Sequence, residues 1–246
     1  MSAPRQLLVA DLGTRSYTDV LHLQRAAARA RLDGSLSQDL LFLVEHPPVV
    51  TLGRAARDPS TLTATPALLA ARGVELYDVE RGGDVTFHGP GQIVGYPIVD
   101  LHRHKLDLHW YLRQLEEVVM RAIAGFGVPG ERSAGQTGVW TSGRKIASIG
   151  VHARQWVTWH GFALNVTTDL SYFDLMVPCG IQGVTMTSVE QEILRRGDGT
   201  CHAPSPLLLD EARAALVAAA GEVFALEPVP ASRETLLPLE QAAAPR

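Results

Sequence analysis

Between Val74 and Val166 the chain returns repeatedly to short runs of β-branched and aromatic residues punctuated by glycine. This pattern constrains the fold most. Val74 to Val79, Val85 to Phe87, Ile93 to Val99, Val139 to Trp140, Ile146 to Val151 and Val157 to Val166 read as strands. One helical stretch interrupts them, with Leu112, Leu115, Val119, Ala122 and Ile123 at helical spacing and Gly125 and Gly127 at its end. Upstream, Gln6 to Leu12 reads as a strand, Tyr17 to Leu32 as a helix, and Leu40 to Val44 as a buried strand closed by Pro47 and Pro48. Thr65 and Pro66 supply the cap and first turn of a short helix that stops at Gly73. Ser205 and Pro206 open a last helix carried by Leu209, Ala212, Leu216, Ala219 and Val223. Strands gathered in the middle, with helices dispersed around them, predict a single α+β domain in which helices flank a mixed β-sheet. After residue 226 proline and alanine dominate, so residues 227–246 are predicted to form a loosely ordered C-terminal tail.

Charge narrows the function. With 22 basic and 26 acidic residues the net charge is −4, which gives no sequence-wide attraction for nucleic acid. Any docking of an acidic partner must be local. No apolar run approaches the ~20 residues that span a bilayer, and Asp11 cuts the N-terminal run Leu7 to Ala10 too early for a signal peptide. Cys179 and Cys201 are too few for a disulfide scaffold and lack zinc-like spacing. A cytoplasmic protein with free thiols, no membrane segment and no metal is the expectation. Nine histidines form no His-x-x-x-His pair, and His102, His104 and His109 are read as solvated or helix-start residues.

Four segments carry compositions that are costly for structure alone. Arg81-Gly82-Gly83-Asp84-Val85-Thr86-Phe87-His88-Gly89-Pro90-Gly91-Gln92 fits a hairpin with a glycine-rich exit, or a backbone that approaches a ligand closely. It contains no nucleotide-binding fingerprint. In Gly143 to His152, alternation puts Ile146, Ser148 and Gly150 on one strand face, and Lys145, Ala147, Ile149 and Val151 on the other. Lys145 is thus either desolvated among apolar neighbours or simply solvated at a strand start. His160 to Val166 is a strand that starts with a small residue. In Pro178-Cys179-Gly180-Ile181-Gln182-Gly183 the flanking proline and glycine predict a tight turn with an accessible thiol, whereas a lone cysteine is commonly inert. Cys201 has no such frame.

Taken in order, and joined by Glu45-His46-Pro47-Pro48-Val49-Val50-Thr51-Leu52-Gly53-Arg54, these segments closely resemble the octanoyltransferases of lipoate biosynthesis. The resemblance runs from about Leu7 to about Phe224. It implies a catalytic domain over residues 1–226, with a fold similar to the catalytic fold of biotin protein ligases and lipoate ligases. It also implies transfer of an octanoyl group from octanoyl-acyl carrier protein, through a cysteine acyl-thioester, to a specific lysine ε-amine. The acceptors it implies are lipoyl domains of 2-oxoacid dehydrogenase complexes and the glycine cleavage H protein. The roles carried over are Cys179 as nucleophile and Lys145 as its activating partner. Acyl-substrate contacts are carried over to Arg81, Gly82, Gly83, Asp84, Val85, Thr86, Phe87 and His88, then Ser148, Ile149 and Gly150, then Gly161, Phe162 and Ala163. His152 and His160 lie beside these segments as candidates for proton transfer. No cofactor is implied, and a monomer is expected. An ATP-dependent lipoate or biotin ligase would share the fold, and an amidotransferase that moves octanoyl or lipoyl groups between protein lysines is a second rival.

Overall fold

Strand β1 (Gln6–Thr14) and strand β2 (Asp39–Glu45) run parallel, which requires a crossover, and helix α1 (Tyr17–Asp33) supplies it. Ser16 caps α1 by accepting from Asp19 N–H, and Gly34 ends it in the left-handed region at φ 82. The computed structural model describes residues 5–56, 61–181, 183–196 and 207–244.

After β2 the chain leaves the main sheet. Strand β3 (Val49–Leu52) pairs parallel with β4 (Glu75–Asp78) and antiparallel with β5 (Val85–His88), with the short helix α2 (Pro66–Ala71) between. Strand β6 (Gln92–Ile98) then returns to pair antiparallel with β2. Helix α3 (Leu108–Ala124) leads to β7 (Glu131–Ser133), β8 (Gln136–Thr141), β9 (Arg144–Arg154) and β10 (Val157–Asn165). Helix α4 (Val189–Arg195), helix α5 (Leu208–Phe224), strand β11 (Glu227–Pro230) and helix α6 (Arg233–Ala243) complete the chain. The eight-stranded sheet has the order β11-β1-β2-β6-β10-β9-β8-β7, and β4-β3-β5 forms a second, three-stranded sheet. This is the predicted α+β architecture of mixed sheet flanked by helices.

The helices cover both faces of the large sheet. Tyr111, Leu115, Val118, Val119 and Ile123 of α3 form one apolar stripe and pack with Leu216 and Ala220 of α5 over Leu41, Ile93 and Leu164. On the other face Val20, Leu23 and Ala27 of α1 meet Leu40, Phe42 and Val44. A third core beneath the small sheet gathers Val50, Val85, Phe87 and Phe173.

Several expectations need correction. The tail is folded: β11 pairs parallel with β1, and α6 buries Leu239 in the same core as α1. Its prolines read as linker, but Pro228 and Pro230 sit on an edge strand, where a missing N–H costs no ladder bond. His104 is not solvated; its side chain is 6% exposed, with Nε2 2.8 Å from Asp39 Oδ2. Ser205, Pro206 and Cys201 lie outside the described residues. No helix among the described residues is long and apolar enough to cross a membrane.

Candidate active site

Lys145 and Cys179, 34 positions apart, meet in space with Nζ 3.1 Å from Sγ. The lysine enters through a two-residue hairpin at Ser142-Gly143, both with positive φ, as the β8–β9 connection demands. Alternation alone fails at this point. β8 pairs Val139 with Ala147 and the next residue, Trp140, with Lys145, so Ile146 is a bulge without a counterpart. Bulges re-aim side chains. Lys145 and Ser148, expected on opposite faces, therefore both reach the thiol, Ser148 Oγ lying 3.7 Å from Sγ.

The lysine is 1% exposed, so it is the desolvated case rather than the solvated one. Its ammonium also donates to Thr137 O at 3.3 Å and lies 5.4 Å from the centroid of the Trp140 ring. Cys179 occupies a one-turn 3-10 segment, Pro178–Gly180, at φ 57 and ψ 20. A non-glycine residue held in the left-handed region is strained, and here the strain is held at the sulfur-bearing turn.

A cavity of about 260 Å³ opens beside the pair. Arg81, Gly83, Asp84, Thr86 and His88 line it, as do Ser148, Ile149 and Gly150 of β9 and Gly161, Phe162 and Ala163 of β10. Gly82, Val85 and Phe87 do not line it. Val85 and Phe87 alternate onto the far face of β5 and pack in the core with Val50, while Gly82 N–H donates to Val151 O and ties the loop to β9. Residues carrying no motif signal complete the wall, among them Tyr17 of α1 and Val94 and Tyr96 of β6, and Ile181 from the cysteine segment joins them. His160 lines the cavity; His152 lies outside it, its Nδ1 facing Glu80 O and the Arg54 guanidinium.

The loop that carries Arg81 is pinned from below. Gly53 N–H donates to Asp84 O, Arg54 N–H to Arg81 O, and Ala55 N–H to Gly83 O. The imidazoles nearby are neutral. Burial pushes His46 down to about 4 and His88, with His46 also working against it, down to about 3. His46 donates from Nδ1 to Arg15 O and accepts on Nε2 from Tyr96 OH. Gln92 donates its amide to Phe87 O and Asn165 Oδ1, so its Oε1 accepts from His88 Nδ1. No group of three or more His, Cys, Asp or Glu suited to a metal occurs among the described residues.

Residues 16–200 match the family described as the Lipoyl protein ligase A/B catalytic domain. The chain is 48% identical over 227 residues to an octanoyltransferase of Chloroflexus aurantiacus, covering 91% of this chain and 96% of that one. An octanoyltransferase of Rubrobacter xylanophilus is 52% identical over 184 residues, covering 74% and 82%. The chain belongs to the octanoyltransferase family. Its activity is therefore octanoyl transfer in lipoate biosynthesis. Among solved structures, lipoate-protein ligase A bound with ATP superposes with a TM-score of 0.71 at 16% identity, covering 97% of this chain and 93% of that one. A putative lipoate protein ligase from T. acidophilum with bound lipoic acid gives 0.69, also at 16% identity, covering 97% and 94%. At such identity the likeness speaks for the fold alone.

Proposed function

We propose that the octanoyl group passes from octanoyl-acyl carrier protein to Cys179 as a thioester, and then to a lysine ε-amine. The acceptors are lipoyl domains of 2-oxoacid dehydrogenase complexes and the glycine cleavage H protein. The observation that carries this reading is the 3.1 Å contact of Lys145 Nζ with Cys179 Sγ at the cavity wall.

An ammonium at that distance favours the thiolate, the nucleophilic form of cysteine. The thiolate attacks the carrier's thioester; a new C–S bond forms, the old one breaks, and the departing sulfur takes a proton from Lys145. Lys145 is then neutral. The target lysine arrives as an ammonium, loses one proton and attacks as the neutral amine; a C–N bond forms, the second proton leaves the nitrogen, and the electron pair of the C–S bond returns to Sγ. Of the two protons it sheds, one reloads Lys145 and the other leaves to water. A thioester is exchanged for a thioester and then for a more stable amide, which needs no ATP. Burial of the octanoyl methylenes against Ile149, Phe162 and Ala163 would contribute up to roughly 5 kcal/mol to binding.

Intact mass after incubation with octanoyl-carrier protein, without ATP, tests this reading. The expected result is one added octanoyl group, mapped to Cys179 and absent from Cys179→Ser. Modification at Cys201 with Cys179 untouched, or acylation that requires free octanoate and ATP, overturns it.

A further inference from the structure

Arg81 is a buried cation, 7% exposed, whose hydrogen bonds all go to neutral oxygens. Nε donates to Thr51 Oγ1 at 3.3 Å, one terminal nitrogen to Gly82 O at 3.1 Å, and the other to Thr51 O at 2.7 Å and Thr51 Oγ1 at 2.8 Å. The space around it is cleared by glycine. A Cβ at Gly53 would stand 2.6 Å from one guanidinium nitrogen, and a Cβ at Gly150 would stand 3.1 Å from its Cδ. Glu80, its neighbour in sequence, is taken elsewhere, by Arg25 at 2.7 Å and 2.9 Å and by the Trp159 indole at 2.8 Å. A bare guanidinium in such a slot is costly unless an anion faces it.

The cavity supplies candidates for that anion. Its charged groups are Arg81, Lys145 and Asp84, with Cys179 beside them. Burial keeps the other titratable groups uncharged near neutral pH, lowering His88 on β5 and His160 on β10 and raising Tyr17 on α1 and Tyr96 on β6. Two cations therefore stand against one carboxylate. The count balances when Cys179 is a thiolate, and Cys179 is among the groups whose attraction favours Arg81's charge against burial. Lysine can release a proton here; arginine cannot.

We propose that Arg81 is a positioning residue acting through Cys179 and Lys145: its permanent charge holds the thiolate before acylation, and once the acyl group removes that anion it drives Lys145 to release its proton. This rests on the acyl-cysteine reading above. The same cation thus favours both halves of the transfer.

Iodoacetamide alkylation of Cys179 against pH, in a Cys201→Ser background, reads the first half. Transfer from preformed acyl-enzyme against pH reads the second. In Arg81→Gln both midpoints are expected to rise by about one pH unit, roughly a tenfold smaller thiolate fraction at neutral pH. Arg81→Lys, whose ammonium can shed its proton in the same slot, should recover the parent midpoints only in part, and Asp84→Asn should move the alkylation midpoint down. A folded Arg81→Gln that alkylates at the parent midpoint overturns the proposal. If circular dichroism shows that variant unfolded, an unchanged midpoint in Asp84→Asn overturns it instead. Should the parent protein never gain octanoyl on Cys179, the acyl-cysteine reading falls; should it gain octanoyl while these midpoints stay fixed, only the role of Arg81 falls.

Discussion

The side chain of Lys145 shares with Ala147 O the space that any side chain at Gly138 would need: a Cβ there would stand 2.7 Å from Ala147 O, 2.9 Å from Lys145 Cε and 3.3 Å from Nζ. Gly138 also sits at φ 135, outside the range open to most residues. Gly138→Ala should therefore displace the ammonium from the thiol. Acylation of Cys179 should slow by up to about 100-fold, the order expected for misplacing a reacting group by ~1 Å. Single-turnover acylation measured by quenched mass spectrometry decides it; a folded variant with the parent rate would mean that Lys145 need not lie where it does.

Lys145→Ala and Lys145→Arg should separate its two roles. Arginine keeps a positive charge beside Cys179 but cannot accept a proton, so it should preserve much of the alkylation rate while stopping amine attack. Alanine should lose both. Equal alkylation profiles in the two variants would make Lys145 an ordinary strand lysine.

Stability should fall on the acid side of neutrality. His46 and His88 are held down to about 4 and about 3, whereas in the unfolded chain a histidine titrates near 6.5. Below pH 6.5 the unfolded state binds protons that the folded state refuses, so stability present above 6.5 is lost as pH falls toward 4. Each such group contributes a slope of up to about 1.4 kcal/mol per pH unit. Urea unfolding between pH 7 and pH 4 measures it. His46→Gln should flatten the curve, and an unchanged slope would mean that His46 is not neutral in the fold.

Removing residues 227–246 should destabilise rather than trim. Leu239 is 5% exposed, and Leu239→Ala should cost about 2–5 kcal/mol as a buried truncation. Thermal unfolding tests both changes. A truncated chain that melts with the full one would return this segment to the status of a loose appendage.

Much of the fold was legible because it rests on local signals. The apolar stripe of α3, the positive-φ turn at Ser142-Gly143 and the Thr65-Pro66 helix start each announce themselves within a few residues. The Pro178-Gly180 frame likewise marked the turn on which Cys179 sits. What escaped depends on partners distant in sequence. The bulge at Ile146 exists only in the pairing with β8, so no reading of β9 alone could place Lys145 on the face of Ser148. Tyr17 and Tyr96 reach the cavity through the packing of α1 and β6, and neither stands in a recognisable pattern. Strand β3 was read only as part of a motif, because its small sheet is assembled from segments up to 39 positions apart, such as Val49 and His88.

The prolines of β11 have a consequence for encounters between molecules. Glu227 N–H donates inward to Arg5 O and Ala231 N–H inward to Val9 O, whereas Pro228 and Pro230, opposite Leu7 and Val9, present no N–H to the outer side. A strand arriving from another molecule would find carbonyl acceptors but no backbone donor along β11. At the opposite rim β7 offers only the three residues Glu131–Ser133. The large sheet thus ends at both margins in strands that make poor templates, which guards a chain with so many apolar strands against joining sheet to sheet as its concentration rises.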